Sequence, residues 1–231
     1  VMKAAFGLVL VLAFLAGCVG GGSGGPTLRV LDGTFSLAAP RGFCPDPAQL
    51  RERDGTAFAL YGTCQGIEGR GPAPLAPAVL TAAVAREAGA LDAGDFAALA
   101  DHLGSVAGKA ALAGGDGATN AEVLSLERDA NLMLVHVRDR DTIDLSEDYW
   151  RAVFVQSGAL VTLTASGTAQ AALAPDTGKA LLLAFVRAVR AANPAAAEDI
   201  PEAESAARPG LFKHLLKVNN SGVDEAIAED G

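Results

Sequence analysis

Positive charge, aromatic side chains and cysteine are what this chain has least of. Its 18 lysines and arginines stand against 27 aspartates and glutamates, a formal net charge of −9. No basic stripe is present to meet phosphates, which excludes nucleic acid as a partner. The three histidines, His102, His136 and His214, lie far apart in sequence. No His-Glu-x-x-His motif and no Cys/His set at ligand spacing accompanies them, so no zinc chemistry is implied. Phosphate loops are missing too: Gly108-Lys109-Ala110 and Gly178-Lys179-Ala180 lack the Ser/Thr and the upstream glycine. Asp176-Thr177-Gly178 spells the aspartic-protease tripeptide once, at a helix start, where capping accounts for it. No apolar run reaches the roughly 20 residues that a helix needs to cross a bilayer. These absences leave no cofactor implied and little room for an enzyme.

The apolar run that is present, Ala4 to Gly17, follows Lys3 and closes in Leu15-Ala16-Gly17-Cys18. A positive charge, an apolar core and small residues, in that order, make a secretory signal. The closing tetrapeptide resembles the lipobox of bacterial lipoproteins. The resemblance implies that residues 1–17 are a signal peptide and that Cys18 carries the lipid after cleavage. It further implies, with Val19 rather than Asp following, a place in the outer membrane facing the periplasm. Each buried CH₂ contributes about 0.8 kcal/mol, so several acyl chains hold permanently where one holds marginally. A plain secretory signal that happens to contain a cysteine is the competing reading; the glycine run that follows speaks against it.

Residues 18–27 are the lipidated cysteine and a Gly-rich linker, whose composition predicts a reach of roughly 15 Å. Gly21-Gly22-Ser23-Gly24-Gly25 matches the serine-hydrolase elbow in spelling only, since that motif needs a strand before it and a helix after. With Cys18 used by lipid, Cys44 and Cys64 remain as an even pair in an oxidising compartment. A disulfide between them closes a loop of about 20 residues, worth on the order of 3 kcal/mol. Two free buried thiols are the alternative.

Residues 28–194 read as one α+β globular domain. Gly33–Leu37 and Ala57–Gly62 alternate and suggest a strand pair bent around the cysteines, with Pro40–Pro47 as turn. Ala78–Val84 is a third apolar run. Phe96, Leu99 and Leu103 recur at helical spacing after a cap at Asp92 or Asp95, and Gly104 stops that helix. Alternation returns in Val123–Glu127, Leu132–Arg138, Tyr149–Gln156 and Leu160–Ser166, the last two joined by the hairpin signal Ser157-Gly158. Leu181, Leu182, Phe185, Val186 and Val189 stripe a final helix capped by Asp176 or Thr177 and ended by Asn193-Pro194. The expectation is an antiparallel sheet flanked by two helices. This order of elements resembles the PsbP-like and LpqN-like α/β/α sandwich family. That resemblance implies an accessory or assembly factor and carries over no catalytic residue.

Residues 195–231 form an acidic tail around a short amphipathic helix whose Leu211, Phe212, Leu215 and Leu216 share one face. That face is a candidate for binding a partner, for lying on lipid or for folding back on the domain. Arg138 to Asp148 is the richest charged cluster, and Asp139, Asp141 and Asp144 are its candidates for holding a hard cation. The interleaved arginines and missing EF-hand spacing favour a solvated, ion-paired loop instead. Three functions remain open: a non-enzymatic accessory lipoprotein that binds another envelope protein, a periplasmic carrier or sensor of a small apolar ligand, and a carboxylate-based hydrolase using Asp139, Asp141 and Asp144.

Overall fold

The alternating stretches fold as an antiparallel sheet with a different apolar set on each face. The computed structural model describes residues 25–86, 93–105, 107–108, 121–129 and 131–194. β1 (Thr27–Val30) and β2 (Phe35–Ala38) pair only with each other. β3 (Phe43–Pro45), β4 (Arg51–Arg53), β5 (Thr56–Thr63), β6 (Val79–Ala85), β7 (Ala121–Asp129), β8 (Leu132–Asp139), β9 (Leu145–Gln156) and β10 (Ala159–Thr168) make the main sheet, in the order β3-β5-β6-β10-β9-β8-β7 with β4 also on β5. The sheet is accompanied by the helices α1 (Cys64–Glu68), α2 (Ala93–Gly104) and α3 (Pro175–Ala192), with a 3-10 turn at Pro47–Gln49.

Period-two alternation sorts the side chains. Tyr61, Leu80, Ala152, Phe154, Val161 and Leu163 point to one face and pack on Leu181, Leu182, Phe185, Val186 and Val189 of α3, together with Phe35 and Leu37 of β2. Met133, Val135, Val137, Val153 and Leu160 point to the other, where Leu99 and Leu103 of α2 join them. Burying each large apolar side chain contributes about 1.5–3 kcal/mol. The fold class is thus α+β, an antiparallel sheet with a helix against each face, and the stripe on α3 is the one its spacing predicts.

Four local expectations need correction. Gly33–Leu37 does not pair with Ala57–Gly62: β2 pairs back onto β1, which begins inside the stretch expected to be linker. The cause is a tight turn with positive φ at Leu31, Asp32 and Gly33, closed by the Thr34 N–H and hydroxyl donating to the Leu31 carbonyl. Pro40–Pro47 is not all turn, since Phe43–Pro45 pairs with Tyr61–Thr63; at the sheet edge a proline need not donate to the ladder. Neither Asp176 nor Thr177 caps α3: the N-cap is Ala174, with Pro175 at the first turn supplying a helix-ready φ. The charged cluster is shorter as a loop than expected, because β8 runs to Asp139 and β9 begins at Leu145.

Cys44 and Cys64 are bonded, S–S 2.05 Å, tying edge strand β3 to the first residue of α1. Cys18, the cap candidate Asp92, and the tail residues Leu211, Phe212, Leu215 and Leu216 lie outside the described residues, as does His214. Among the described residues no helix is long and apolar enough to cross a membrane.

Candidate functional site

Helix α3 packs over β9 and β10, its first turn reaching Trp150, and the same sheet face continues toward the β8–β9 loop with the part-exposed Arg138 and Asp148. Cross-strand register sets what lies there. Ser125, His136 and Trp150 stand in one row, and Glu122, Arg138 and Asp148 in the next, after a bulge between Val123 and Ser125 shifts β7 into phase.

The first row is aromatic. His136 stacks on Trp150 with ring centroids 4.5 Å apart and an interplanar angle of 3°. Trp150 is only 6% exposed, and its Nε1 is buried with no hydrogen-bond partner among the described residues. From the α3 side, Gly178 allows the close approach: a Cβ there would lie 3.0 Å from Trp150 Cδ1. Lys179 puts its Nζ 5.5 Å from the Trp150 ring centroid while donating to both Glu127 carboxylate oxygens at 2.6 Å. Burial lowers the His136 pKa, with Asp148 raising it and Arg138 lowering it by lesser amounts.

The second row is ionic. Arg138 grips Asp148 in a fork, Nε to Oδ1 at 2.7 Å and Nη2 to Oδ2 at 2.9 Å. The Arg138 hydrogen bond holds the Asp148 carboxyl below the usual range, and the same bond raises the guanidinium. Farther out, Arg140 comes within 3.9 Å of Glu122. Beyond them a depression of about 560 Å³ is lined by Arg138, Asp148, Leu145, Leu173 and Ile143. Ile143, at the tip of the β8–β9 loop, is 86% exposed.

The candidates for a hard cation, Asp139, Asp141 and Asp144, lie at the end of β8 and in the loop that follows it. Asp139 ends β8 on the opposite sheet face from His136 and is 6% exposed, its Oδ1 accepting from the Asp141 N–H at 3.0 Å. Burial raises its pKa. Asp144 is exposed, and its carbonyl accepts from the Ala169 N–H. Among the described residues no three His, Cys, Asp or Glu side chains gather as metal ligands. His102 is exposed on α2, away from His136.

Sequence reasoning placed His136 and Trp150 on their strands but missed their contact, and it missed Lys179 and Gly178 altogether. A signal was available. Setting the hairpin midpoint at Ile143 puts 136 opposite 150 and 138 opposite 148, which recovers both rows.

What this arrangement can do is bind. An exposed isoleucine and a forked Arg–carboxylate pair on the sheet supply ingredients of an interface: apolar contact and an oriented arginine. No family model matches the chain, and no curated protein matches it. Structural neighbours include the Ran-binding protein Mog1p of Saccharomyces cerevisiae, at a TM-score of 0.43 and 10% identity, covering 72% of this chain and 93% of that one. A mutant of protein Mog1 stands at 0.43 and 11%, over 72% and 93%. A likeness of that size identifies neither a family nor a partner.

Proposed function

We propose that this chain is a lipid-anchored accessory protein of the bacterial envelope, held by Cys18 in the outer membrane and facing the periplasm. It binds another envelope protein and has no catalysis of its own, and its domain is of the PsbP-like α/β/α type. The observation that carries this reading is the sheet surface beyond the first turn of α3, where the part-exposed Arg138–Asp148 fork lines one depression with exposed Ile143. Leu15-Ala16-Gly17-Cys18 supports the anchor, and the Cys44–Cys64 bridge fits an oxidising compartment.

The test is gentle detergent extraction of the lipidated protein from its own membranes followed by native mass spectrometry. A stoichiometric protein partner is expected, and it should be lost in an Ile143→Glu, Arg138→Ala double variant that still folds, since central interface residues often cost 2 kcal/mol or more on truncation. A bare monomer, or a partner indifferent to both substitutions, sinks this reading.

A further inference from the structure

A groove of about 710 Å³ runs along the C-terminal half of α3, with Ala184 and Ala188 in its wall and Leu75, Arg41, Arg187 and Gly25 around it. Three features set it apart. Leu75 is 66% exposed, one of only three large apolar side chains so placed among the described residues. Arg41 and Arg187 are exposed, and neither makes an ion pair among the described residues. Although the chain carries a net charge of −9, not one lining residue is acidic.

Local backbone fixes this corner. Gly42, at φ 91°, lies so close to Pro74 that a Cβ would come within 2.6 Å of it, which sets Arg41 beside Leu75. Gly25 is pinned as well: its N–H donates to the Ala39 carbonyl at 2.8 Å, and a Cβ would lie 2.7 Å from the Pro40 oxygen. Gly25 is thus a fixed point of entry at the groove. It stands 25 − 18 = 7 residues after Cys18, a length that spans at most about 25 Å fully extended.

We infer that this corner is the membrane-facing end of the domain, resting on the phospholipid leaflet that holds the anchor, with Leu75 entering the interface and Arg41 and Arg187 meeting anionic phosphate headgroups. The inference rests on the lipid anchor proposed above. Given that anchor, the tether cannot carry Gly25 far from the bilayer, and the groove beside Gly25 presents apolar surface with uncompensated positive charge, which is the chemistry an anionic leaflet attracts. The docking face is elsewhere: Asp144 and Ala169 are bonded near the start of α3, whereas the groove follows its last turns.

The experiment places a reporter at each end of the full lipidated chain. Leu75→Trp and Ile143→Trp variants are reconstituted into phosphatidylcholine–phosphatidylglycerol vesicles whose acyl chains are brominated, and tryptophan quenching is read against native Trp150, which is buried. Several-fold stronger quenching at position 75 than at 143 is expected. Adding Arg41→Glu and Arg187→Glu, both at exposed sites, should bring position 75 down to the level of 143. Equal quenching at both positions, with acyl mass confirmed on Cys18, overturns the inference and leaves the anchor standing. An N-terminal peptide without acyl mass overturns the anchor and this inference with it. Quenching at position 75 that appears only when the chain is ended after Pro194 assigns the groove to the chain's own acidic tail and overturns it as well.

Discussion

At the scale of single residues, two aspartates in neighbouring positions on β8 and β9 pull stability in opposite directions with pH. Asp148 titrates below the usual carboxylate range because Arg138 binds its ionised form. Its contribution is therefore full above that range and lost as pH falls through the lowered folded value. His136, lowered by burial, acts in the same sense nearer neutrality: stability present above the ordinary imidazole range is lost as pH falls through its own lowered value. Asp139 is the reverse. Burial raises it, so its stabilising share is complete below the ordinary carboxylate range and lost as pH rises through the raised value. Thermal melts across pH should show Asp148→Asn melting lower than wild type at pH 7 and converging with it in acid. Asp139→Asn keeps the acceptor for the Asp141 N–H and should melt higher at pH 7, again converging in acid. A wild-type ordering that does not change with pH in either variant counts against these assignments. The sequence showed both aspartates in one charged run; only the strand ends at Asp139 and Leu145 reveal that one is buried and the other gripped.

At the scale of elements, the disulfide is the feature best read in advance and the strand it holds the one least so. Cysteine count and compartment pointed to Cys44 and Cys64, and the structure bonds them. What periodicity could not show is that Phe43-Cys44-Pro45 is a strand, because three residues hold no detectable alternation and proline argues against one. The bridge supplies what that short edge lacks: β3 is three residues long and is covalently fixed to the start of α1. By loop entropy, the Cys44→Ala, Cys64→Ala variant should lose about 3 kcal/mol in denaturant unfolding. Hydrogen exchange should quicken first in Phe43–Pro45 and its partners Tyr61–Thr63, and uniform quickening across the sheet would contradict this local role. The four-strand meander β7 to β10 was legible for the opposite reason: each strand is eight residues or longer, enough to hold a run of alternation or of apolar residues.

At the scale of the whole molecule, one side chain joins parts that sequence distance keeps apart. Asn193 accepts from the Ser36 N–H at 2.8 Å through Oδ1, donates through Nδ2 to the Ser36 carbonyl at 2.6 Å and the Val189 carbonyl at 2.8 Å, and offers its own carbonyl to Gln156 and Ser157. It thereby fastens β2 to the end of α3 and to the β9–β10 turn. Its place as the helix end could be read from Asn193-Pro194; its bond to β2 could not, since that depends on the positive-φ turn at Leu31–Gly33. Replacing it with Ala leaves half-buried Ser36 backbone groups unmatched and should cost about 1 kcal/mol or more, with the Ser36 amide exchanging faster; an unchanged melt and unchanged exchange would remove Asn193 from this role. The separateness of the β1–β2 hairpin has a mechanical consequence. A tug arriving from the N-terminal side enters at Gly25, at the open end of the hairpin, where Thr27 faces Ala38. Force applied there peels rather than shears: the Gly25–Ala39 bond yields, then the pairs from Thr27 to Val30 in turn. On that path the pairs of β1 part before load reaches the eight-stranded sheet, so the hairpin is the part of the described fold that gives first.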